Sequence, residues 1–474
     1  LASKLPVTAI FDIGKTNKKF LLFDEFLSVV YERSDTLKET IDEDGFSSEN
    51  VQLLKEWMFR EFEAVVHEQK FKIEAINFSG YGATLVHIGK NGEPVTPIYN
   101  YLKPYPEKLA DELYQLFGGR ETFALETASP PMGMLNSGLQ LYRIKKEKPD
   151  LFRRIEKTLH LPQYLSYLFT GRFMADPTSI GCHTAMWNFK ENRYHRWLND
   201  EGVLQMLPSP SPVQTVIEET VSGKTFQTGI GIHDSSAALA PYLTVFNEPF
   251  IQLSTGTWSI SMNPFNAEPL TFEELKRDCL NYINIYSKPV KASRFLMGGE
   301  YAHQLKRMGR YFERDPDQLD CTPDEALLQK LIRSNDSEKK LILEQADTSG
   351  PYPVKRDEEW DLSRFESYDE AAHQLLLDLA SIQVDSLKLA EVGKKIPQII
   401  ITGGFAKNQF FCRLLAAMLP GKSVYTASVP EASALGAALV LKQQSLTNEN
   451  LKKHLKLKLQ QPFEGMDEIQ YSWV

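Results

Sequence analysis

Apolar residues fall into short runs broken by polar, glycine-containing turns in both halves of the chain, with stretches of helical spacing between them. An apolar run from Val7 reaches Asp12-Ile13-Gly14-Lys15-Thr16-Asn17 and resumes at Phe20-Leu21-Leu22-Phe23, which predicts strand, tight turn, strand. Phe250-Ile251-Gln252-Leu253 leads in the same way through Ser254-Thr255-Gly256-Thr257 into Trp258-Ser259-Ile260-Ser261-Met262. Ala75–Ser79 and Ala83–Ile88 flank Gly80-Tyr81-Gly82 and predict two strands around a Gly-rich turn, with Asn91-Gly92 as a hairpin signal behind them. Helices are expected over Leu135–Lys148 and Leu161–Phe169, stopped by Pro149 and Gly171. A helix after Ala371 places Leu375, Leu376, Leu379, Ile382 and Leu387 near one face and ends by Gly393 and Pro397. A buried strand, Gln398–Thr402, follows it and runs into Gly403-Gly404. The final ordered helix is expected at Ser433–Leu441, where Ala434, Gly436, Ala437 and Ala438 let another backbone come close. These elements predict an α/β chain divided near Tyr242–Pro249 into domains of 1–245 and 246–474.

Length and charge narrow the function. The chain has 474 residues, 42% of them apolar, enough for a large core in two to four domains at about 150 residues each. Lys plus Arg number 53 against 62 Asp plus Glu, and the net charge of −9 gives no electrostatic pull toward nucleic acid or an anionic membrane. Cys182, Cys279, Cys321 and Cys412 are widely separated, so neither a zinc site nor a disulfide framework is signalled. No apolar run is long enough to span a membrane and no signal peptide is visible, so the expected compartment is the cytoplasm.

Three segments can carry chemistry. Gly14-Lys15-Thr16 invites a P-loop reading, but the glycine that motif needs five residues earlier is Ala9. What remains is a strand ending in Asp12 and a turn able to hold phosphate through backbone amides, with the carboxylate available to a metal; an ordinary hairpin turn is the alternative. Gly229–Leu239 opens a helix with Asp234 at or near its N-terminus, as an N-cap or as a base. Asp234 is followed by the phosphate-sized turn at Ser254–Thr257, a pairing that suits phosphoryl transfer. Ile399–Asn408 carries a strand into two glycines and a helix, where an anion or a flat ligand can lie against the main chain.

Taken together, Asp12–Asn17, His233–Ala238, Ser254–Trp258, Ile401–Asn408 and Glu431–Ala438 resemble, in order and spacing, the motifs of the FGGY carbohydrate kinases. Lys148–Phe152, Leu161–Leu165 and Leu168–Gly171 are similar to that family's first-domain helix pair. The resemblance, from about Thr8 to Leu441, implies a two-domain actin-like, ribonuclease-H-like fold with an interdomain cleft, sugar on the first domain and ATP mainly on the second. It further implies that Gly14, Lys15, Thr16 and Asn17, with Thr255, Gly256 and Thr257, form the two phosphate loops. Asp12 is then expected to help hold Mg²⁺ through water, Gly403, Gly404 and Asn408 to lie against the adenosine, and Asp234 to be the catalytic base.

The sugar contacts are expected from Tyr81, Gly82, Asn100, His233 and Asp234. Ser79-Gly80 is followed by Tyr81-Gly82-Ala83 where many xylulose kinases have Gln-Met-His, and Asn100-Tyr101-Leu102-Lys103 stands where many relatives have Trp followed by charged residues. His233-Asp234 and Gly256-Thr257-Trp258 look most like the rhamnulose and fuculose kinases, so a 6-deoxyketohexose is expected, with xylulose, ribulose or a polyol as alternatives. Tyr81 is expected to rest its ring against the methyl terminus, or else to pack within the first domain. A non-catalytic nucleotide or sugar sensor is the competing class, and an actin-like filament protein a third. The partners expected are ATP, Mg²⁺ and a small sugar, with room for a homodimer.

Overall fold

The computed structural model describes residues 4–68, 70–221, 224–315, 321–345, 348–355, 357–391, 393, 395–429, 431–442, 448–464, 466 and 468–474. Contacts within the chain separate two units. The first takes Leu1–Val245, Asn281–Pro289 and Pro430–Leu451; the second takes Phe246–Leu280, Val290–Val429 and Lys452–Val474. Two later segments thus return to the first unit, which a single boundary at 245/246 does not capture.

In the first unit β1 (Leu5–Ile13), β2 (Lys18–Phe23) and β3 (Val29–Asp35) form an antiparallel meander. α1 (Val51–His67) then returns the chain to β4 (Phe71–Gly80), which lies parallel to β1. Val7, Ala9, Ile10 and Phe11 are all buried, as a strand covered on both faces requires. Asn50 caps α1 by accepting the Leu53 N–H, and Leu54, Trp57, Met58, Phe62 and Val65 recur at helical spacing to cover the sheet.

β5 (Leu85–Gly89) does not pair with β4, so the expected hairpin at Gly80-Tyr81-Gly82 is corrected. After α2 (Ser137–Glu147), β6 (Ile155–His160) pairs with β5 in a separate two-stranded ladder, and α3 (Leu161–Thr170) follows. β7 (Val216–Val221), β8 (Lys224–Gly229) and the short β9 (Ile232–His233) precede α4 (Asp234–Val245). The sheet order is β7-β8-β4-β1-β2-β3, with β9 also on β4. β4 therefore has β1 on one edge and β8 and β9 on the other, and no edge is left for a hairpin partner. Ala83, at φ 58°, turns the chain away.

A second sheet, most of it in the second unit, has the order β12-β13-β11-β10-β14-β15-β16, built from β10 (Phe250–Thr255), β11 (Ser259–Asn263), β12 (Cys279–Ile283, whose last three residues count with the first unit), β13 (Pro289–Phe295), β14 (Gln398–Gly403), β15 (Ser423–Thr426) and β16 (Lys458–Leu459). α5 (Met297–Tyr311), α6 (Tyr368–Glu391) and α7 (Gln409–Met418) complete it. α6 is buried along most of its length and contributes Leu375, Leu376, Leu379, Ile382 and Leu387 to one apolar core.

α8 (Ala432–Leu441) belongs to the first unit, and its small residues serve the close approach expected of them. A Cβ on Gly436 would lie 1.8 Å from the Ala237 carbonyl oxygen, and the Asn77 side-chain amide donates to the Ala437 carbonyl at 2.9 Å. It is not the last helix, as expected from sequence: α9 (Asn448–Leu455) follows, anchored by the buried Leu451 and Leu455. Two anchors in eight otherwise mostly polar residues make a weak periodic signal. No helix among the described residues is long and apolar enough to cross a membrane.

Candidate active site

Strand register brings the chemistry of the first unit to one sheet end. Asp12 of β1 lies opposite Ser79 of β4, Ile232 of β9 also lies opposite Ser79, and His233 lies opposite Gly80. β1 and β9 each lie parallel to β4, one on either side, so Asp12 and His233-Asp234 leave the sheet at the carboxyl ends of its strands, where α/β sheets bind ligands.

Asp234 opens α4. Its Oδ1 accepts the Ser235 N–H at 2.5 Å and the Ser235 hydroxyl at 3.2 Å, and lies 3.2 Å from His233 Nε2. Its Oδ2 carries no hydrogen bond among the described residues, and the side chain is 33% exposed. Burial pushes its carboxyl up to about 6, against the bonds from Ser235. Asp12 accepts the Ser433 hydroxyl at Oδ2, 2.7 Å away. Its carboxyl is also raised to about 6, chiefly by burial and further by the charge of Asp234, with the Ser433 bond opposing. Two raised carboxyls thus share this sheet end, Asp12 within reach of the charge of Asp234, and Asp234 with an open oxygen. Lys19 makes a 2.7 Å bond to each carboxylate oxygen of Glu431, and its charge opposes the rise at Asp12.

His233 is buried, and burial lowers its imidazole to about 3, so it is neutral at working pH. Its ring stacks on Tyr282, with centroids 5.9 Å apart and planes at 22°, and Cys182 Sγ lies 3.1 Å from Nε2. Gly82 lies against this group: a Cβ there would come 2.7 Å from Cys182 Sγ and 2.9 Å from His233 Nε2.

The other expected sugar residues separate. Tyr81 is only 8% exposed and joins the apolar core, so the reading that rests its ring against a substrate methyl is corrected in favour of packing. The half-buried ring beside it is Tyr101, edge-on to Tyr81 at 6.1 Å. Burial raises its phenol, Lys15 opposes, and the charges of Asp234 and Glu49 add to the rise, so Tyr101 stands within electrostatic reach of the base. Asn100 uses its side-chain oxygen to accept the Leu102 N–H and shapes the turn that carries Tyr101.

The first turn is closed by the Gly14 N–H donating to the Asn17 carbonyl at 3.0 Å. The buried Lys18 ammonium stitches it from beneath, donating to the Gly14 and Lys15 carbonyls at 2.9 Å and to Glu49 at 3.0 Å. Lys15 is paired with Glu39 at 2.7 Å, while Thr16 and Asn17 stand exposed at the tip.

In the second unit Thr255 of β10 lies opposite Gly403 of β14, so the two glycine turns also leave their sheet together. They border a cavity of about 670 Å³ lined by Gly256, Thr257, Gly298, Tyr301, Gly404 and Asn408 among others. Thr255 is not on that wall: its buried hydroxyl donates to the Thr402 carbonyl and accepts the Phe405 N–H, bracing the second turn. Nor is Gly403. At φ +82° its Cβ would lie 1.9 Å from the Thr255 carbonyl oxygen, whereas the nearest such atom at Gly404 is 4.0 Å away. Gly403 serves backbone packing, and Gly404 faces the cavity. Asn408 lines the cavity and caps α7 by accepting the Phe411 N–H.

Sequence reasoning points to Gly298-Gly299-Glu300 as a segment approaching the cleft without giving it a role, and to Phe405 only as part of its motif; it missed Tyr301 and Cys321 on this wall. Gly298 and Tyr301 share a helix face three residues apart, a spacing that could have found them once α5 was drawn. Gly298 packs on the turn, where a Cβ would lie 2.0 Å from the Gly256 carbonyl oxygen, and Tyr301 sets its ring edge-on to Phe405 at 5.1 Å. Glu300 points inward instead, accepting the N–H groups of Glu344 and Gln345 at 2.9 and 3.1 Å.

Residues 7–232 match the N-terminal domain of the FGGY family of carbohydrate kinases, and residues 247–449 match the carbohydrate kinase FGGY C-terminal domain. Among curated proteins, a rhamnulokinase of Halalkalibacterium halodurans is 24% identical over 38% of this chain and 39% of its own length. One of Bacteroides thetaiotaomicron is 24% identical over 45% and 44%, respectively. A probable D-xylulose kinase A of Aspergillus oryzae is 27% identical over 27% of this chain and 21% of its own. The chain thus matches less than half the length of each of these relatives. Among solved structures, a carbohydrate kinase from Novosphingobium aromaticivorans superimposes with a TM-score of 0.79 at 24% identity, covering 97% of this chain and 95% of the other. A Lactobacillus acidophilus xylulose kinase gives 0.77 at 16% identity, covering 98% and 95%. These likenesses establish the two-unit, actin-like fold.

Proposed function

Because the chain belongs to the FGGY family of carbohydrate kinases, we propose that it transfers the γ-phosphoryl group of ATP to a hydroxyl of a ketose. The observation that carries this reading is Asp234, a partly exposed carboxylate with one oxygen held by Ser235 and the other open. The open oxygen accepts the proton of the acceptor hydroxyl as the oxygen attacks phosphorus, and a raised carboxyl is a better proton acceptor than an ordinary one. The second-unit cavity holds the nucleotide: Gly256 and Thr257 border the phosphates, and Gly404 lets the adenosine approach the main chain.

Asp12 fits Mg²⁺. That ion is bound through one or two carboxylates, with substrate phosphates and water completing its shell, and the paired raised carboxyls of Asp12 and Asp234 are a site that a cation relieves. When bound it neutralises charge on the phosphate oxygens. Ser433 holds the Asp12 carboxylate in orientation, and Asp234 keeps the proton-accepting role.

The finer substrate reading is a 6-deoxyketohexose, rhamnulose or fuculose. His233-Asp234, Gly256-Thr257-Trp258 and the rhamnulokinase relatives support it. The xylulose kinase relatives support a ketopentose as the second reading. ADP release measured with rhamnulose, fuculose, xylulose, ribulose, polyols and glycerol tests both. Turnover of a deoxyketose above the pentoses is expected; the reverse order overturns the substrate, and no turnover with any of them overturns the kinase reading.

The nucleotide assignment is tested by the two adjacent glycines. Gly404→Val fills cavity space and is expected to raise KM for ATP about tenfold or more with KM for the sugar little changed. Gly403→Ala, forced to positive φ against the Thr255 carbonyl, is expected instead to destabilise the protein by about 2 kcal/mol or more in a thermal melt. Equal effects of Gly404→Val on both substrates would remove the nucleotide from this cavity.

A further inference from the structure

Packing accounts for the ring of Tyr101 but not for its hydroxyl. Ile13 of β1 and His233 of β9 both lie opposite Gly80 of β4, so Gly14, Tyr81 and Asp234 leave the three strands side by side. The Tyr81 N–H continues the ladder by donating to the Ile13 carbonyl at 3.2 Å, and the Tyr81 ring is buried. Set edge-on against that ring at 6.1 Å, Tyr101 keeps part of its own surface exposed at this sheet end. Its phenol oxygen carries no hydrogen bond among the described residues. A phenylalanine would meet Tyr81 and the core behind it equally well, so the fold alone gives no reason for the oxygen.

The charges that act on this phenol come from three separate elements. Burial is the main reason it is raised; beyond that, Lys15 of the first turn opposes the rise, while Asp234 at the start of α4 and Glu49 just before α1 add to it. The turn that carries Tyr101 is held on both sides. The Asn100 side-chain oxygen accepts the Leu102 N–H at 2.9 Å and the Asn100 carbonyl accepts the Lys103 N–H at 3.0 Å. Lys103 is buried, with its ammonium bonded to Asp42 at 2.5 Å and to Asp44 at 2.7 Å. Ahead of the turn, Glu49 and Ile98 exchange backbone hydrogen bonds at 3.0 and 3.2 Å. An unpartnered hydroxyl on a ring fixed in this way, between the first turn and the base, loses little freedom when it binds a ligand.

We propose that Tyr101 is a specificity-determining residue of the acceptor site, its hydroxyl bonding to a substrate hydroxyl near the one that faces Asp234 and its ring lying along the C–H face of the ketose. This rests on the ketose kinase reading. A phenol both donates and accepts a hydrogen bond, and its O–H turns to suit the partner. A ketose that carries the neighbouring hydroxyl on the other side of its chain leaves that bond unmade, so Tyr101 separates epimers and not merely large acceptors from small ones.

The test is Tyr101→Phe, which removes the oxygen and keeps the ring. Melting temperature, kcat, KM for ATP and KM for each of rhamnulose, fuculose, xylulose and ribulose are measured on the variant and the wild type, together with calorimetric binding of the preferred ketose without nucleotide. Because the oxygen has no partner within the protein, a melting temperature no lower than wild type is expected, with KM for ATP unchanged. KM and Kd for the preferred ketose should rise about tenfold, and its preference over its epimer, rhamnulose against fuculose or xylulose against ribulose, should fall by a similar factor. Unchanged ketose binding and preference would overturn the proposal and leave Tyr101 as a packing residue. A lower melting temperature with equal loss toward ATP and every ketose, or a rise in KM for ATP alone, would overturn it too. A wild-type protein that turns over no ketose would instead remove the kinase reading, and this inference with it.

Discussion

Asp234→Asn is expected to lower kcat by about 10² to 10⁴ while calorimetric binding of the sugar changes little, because the amide keeps the shape of the side chain but cannot take the acceptor proton. With the wild-type carboxyl raised to about 6, kcat/KM should fall tenfold per pH unit below that value and level off above it. The same shift has a consequence for stability. A carboxyl whose folded value lies above its unfolded one favours the folded state fully below pH 4, and that contribution is lost as pH rises through about 6. The substrate-free protein therefore carries Asp234 at a cost near neutrality. Asp234→Asn should melt higher than wild type at pH 8, by about 1 kcal/mol after allowing for the side chain's exposure, and the gain should shrink at pH 5. Near-normal turnover in this variant would return Asp234 to the role of a helix cap.

Asp12→Asn is expected to reduce kcat by about 10² or more, with the residual activity demanding a higher Mg²⁺ concentration. A readout independent of turnover is Mn²⁺ bound in the presence of ADP, followed by electron paramagnetic resonance, which should weaken in the variant. Ser433→Ala removes the 2.7 Å bond to Asp12 without removing charge, so a smaller loss in the same direction is expected. Unaltered Mg²⁺ dependence in Asp12→Asn would leave that residue as a buried carboxyl of the sheet end and nothing more.

The parts of this molecule legible in its sequence were those set by local pattern. The two hairpins, the helix ending before Gly393 and the strand before Gly403-Gly404 all follow from periodicity and breakers. Pairing was not legible in the same way. Ala75–Ser79 and Ala83–Ile88 look like a hairpin until the register shows β4 already bonded on both edges. At the site, Asp12 and Asp234 were visible because a carboxylate ending a strand or opening a helix is a local signal. Tyr81 and Tyr101 could not be told apart, since which ring is buried depends on Glu49 and the core behind them. The glycines divide similarly: that Gly403 packs and Gly404 lines the cavity is decided by the distance to Thr255 across the sheet. Ser433 and Tyr282 were out of reach, because both come from the second half of the chain into the first unit.

The return of Ala432–Leu441 also bears on how the protein is made. The first unit includes a helix that leaves the ribosome only after residues 246–429 have been made, and Gly436 packs against Ala237 with no room for a side chain. Until then the surface of Asp234–Val245 that this helix covers stays exposed, and Asp12 lacks the hydroxyl that orients it. The first 245 residues of the nascent chain must therefore wait, incompletely closed, while the intervening residues are translated. An expression fragment ending at Val245 would reproduce that waiting state permanently, so sugar binding is better measured on the whole chain than on an isolated half.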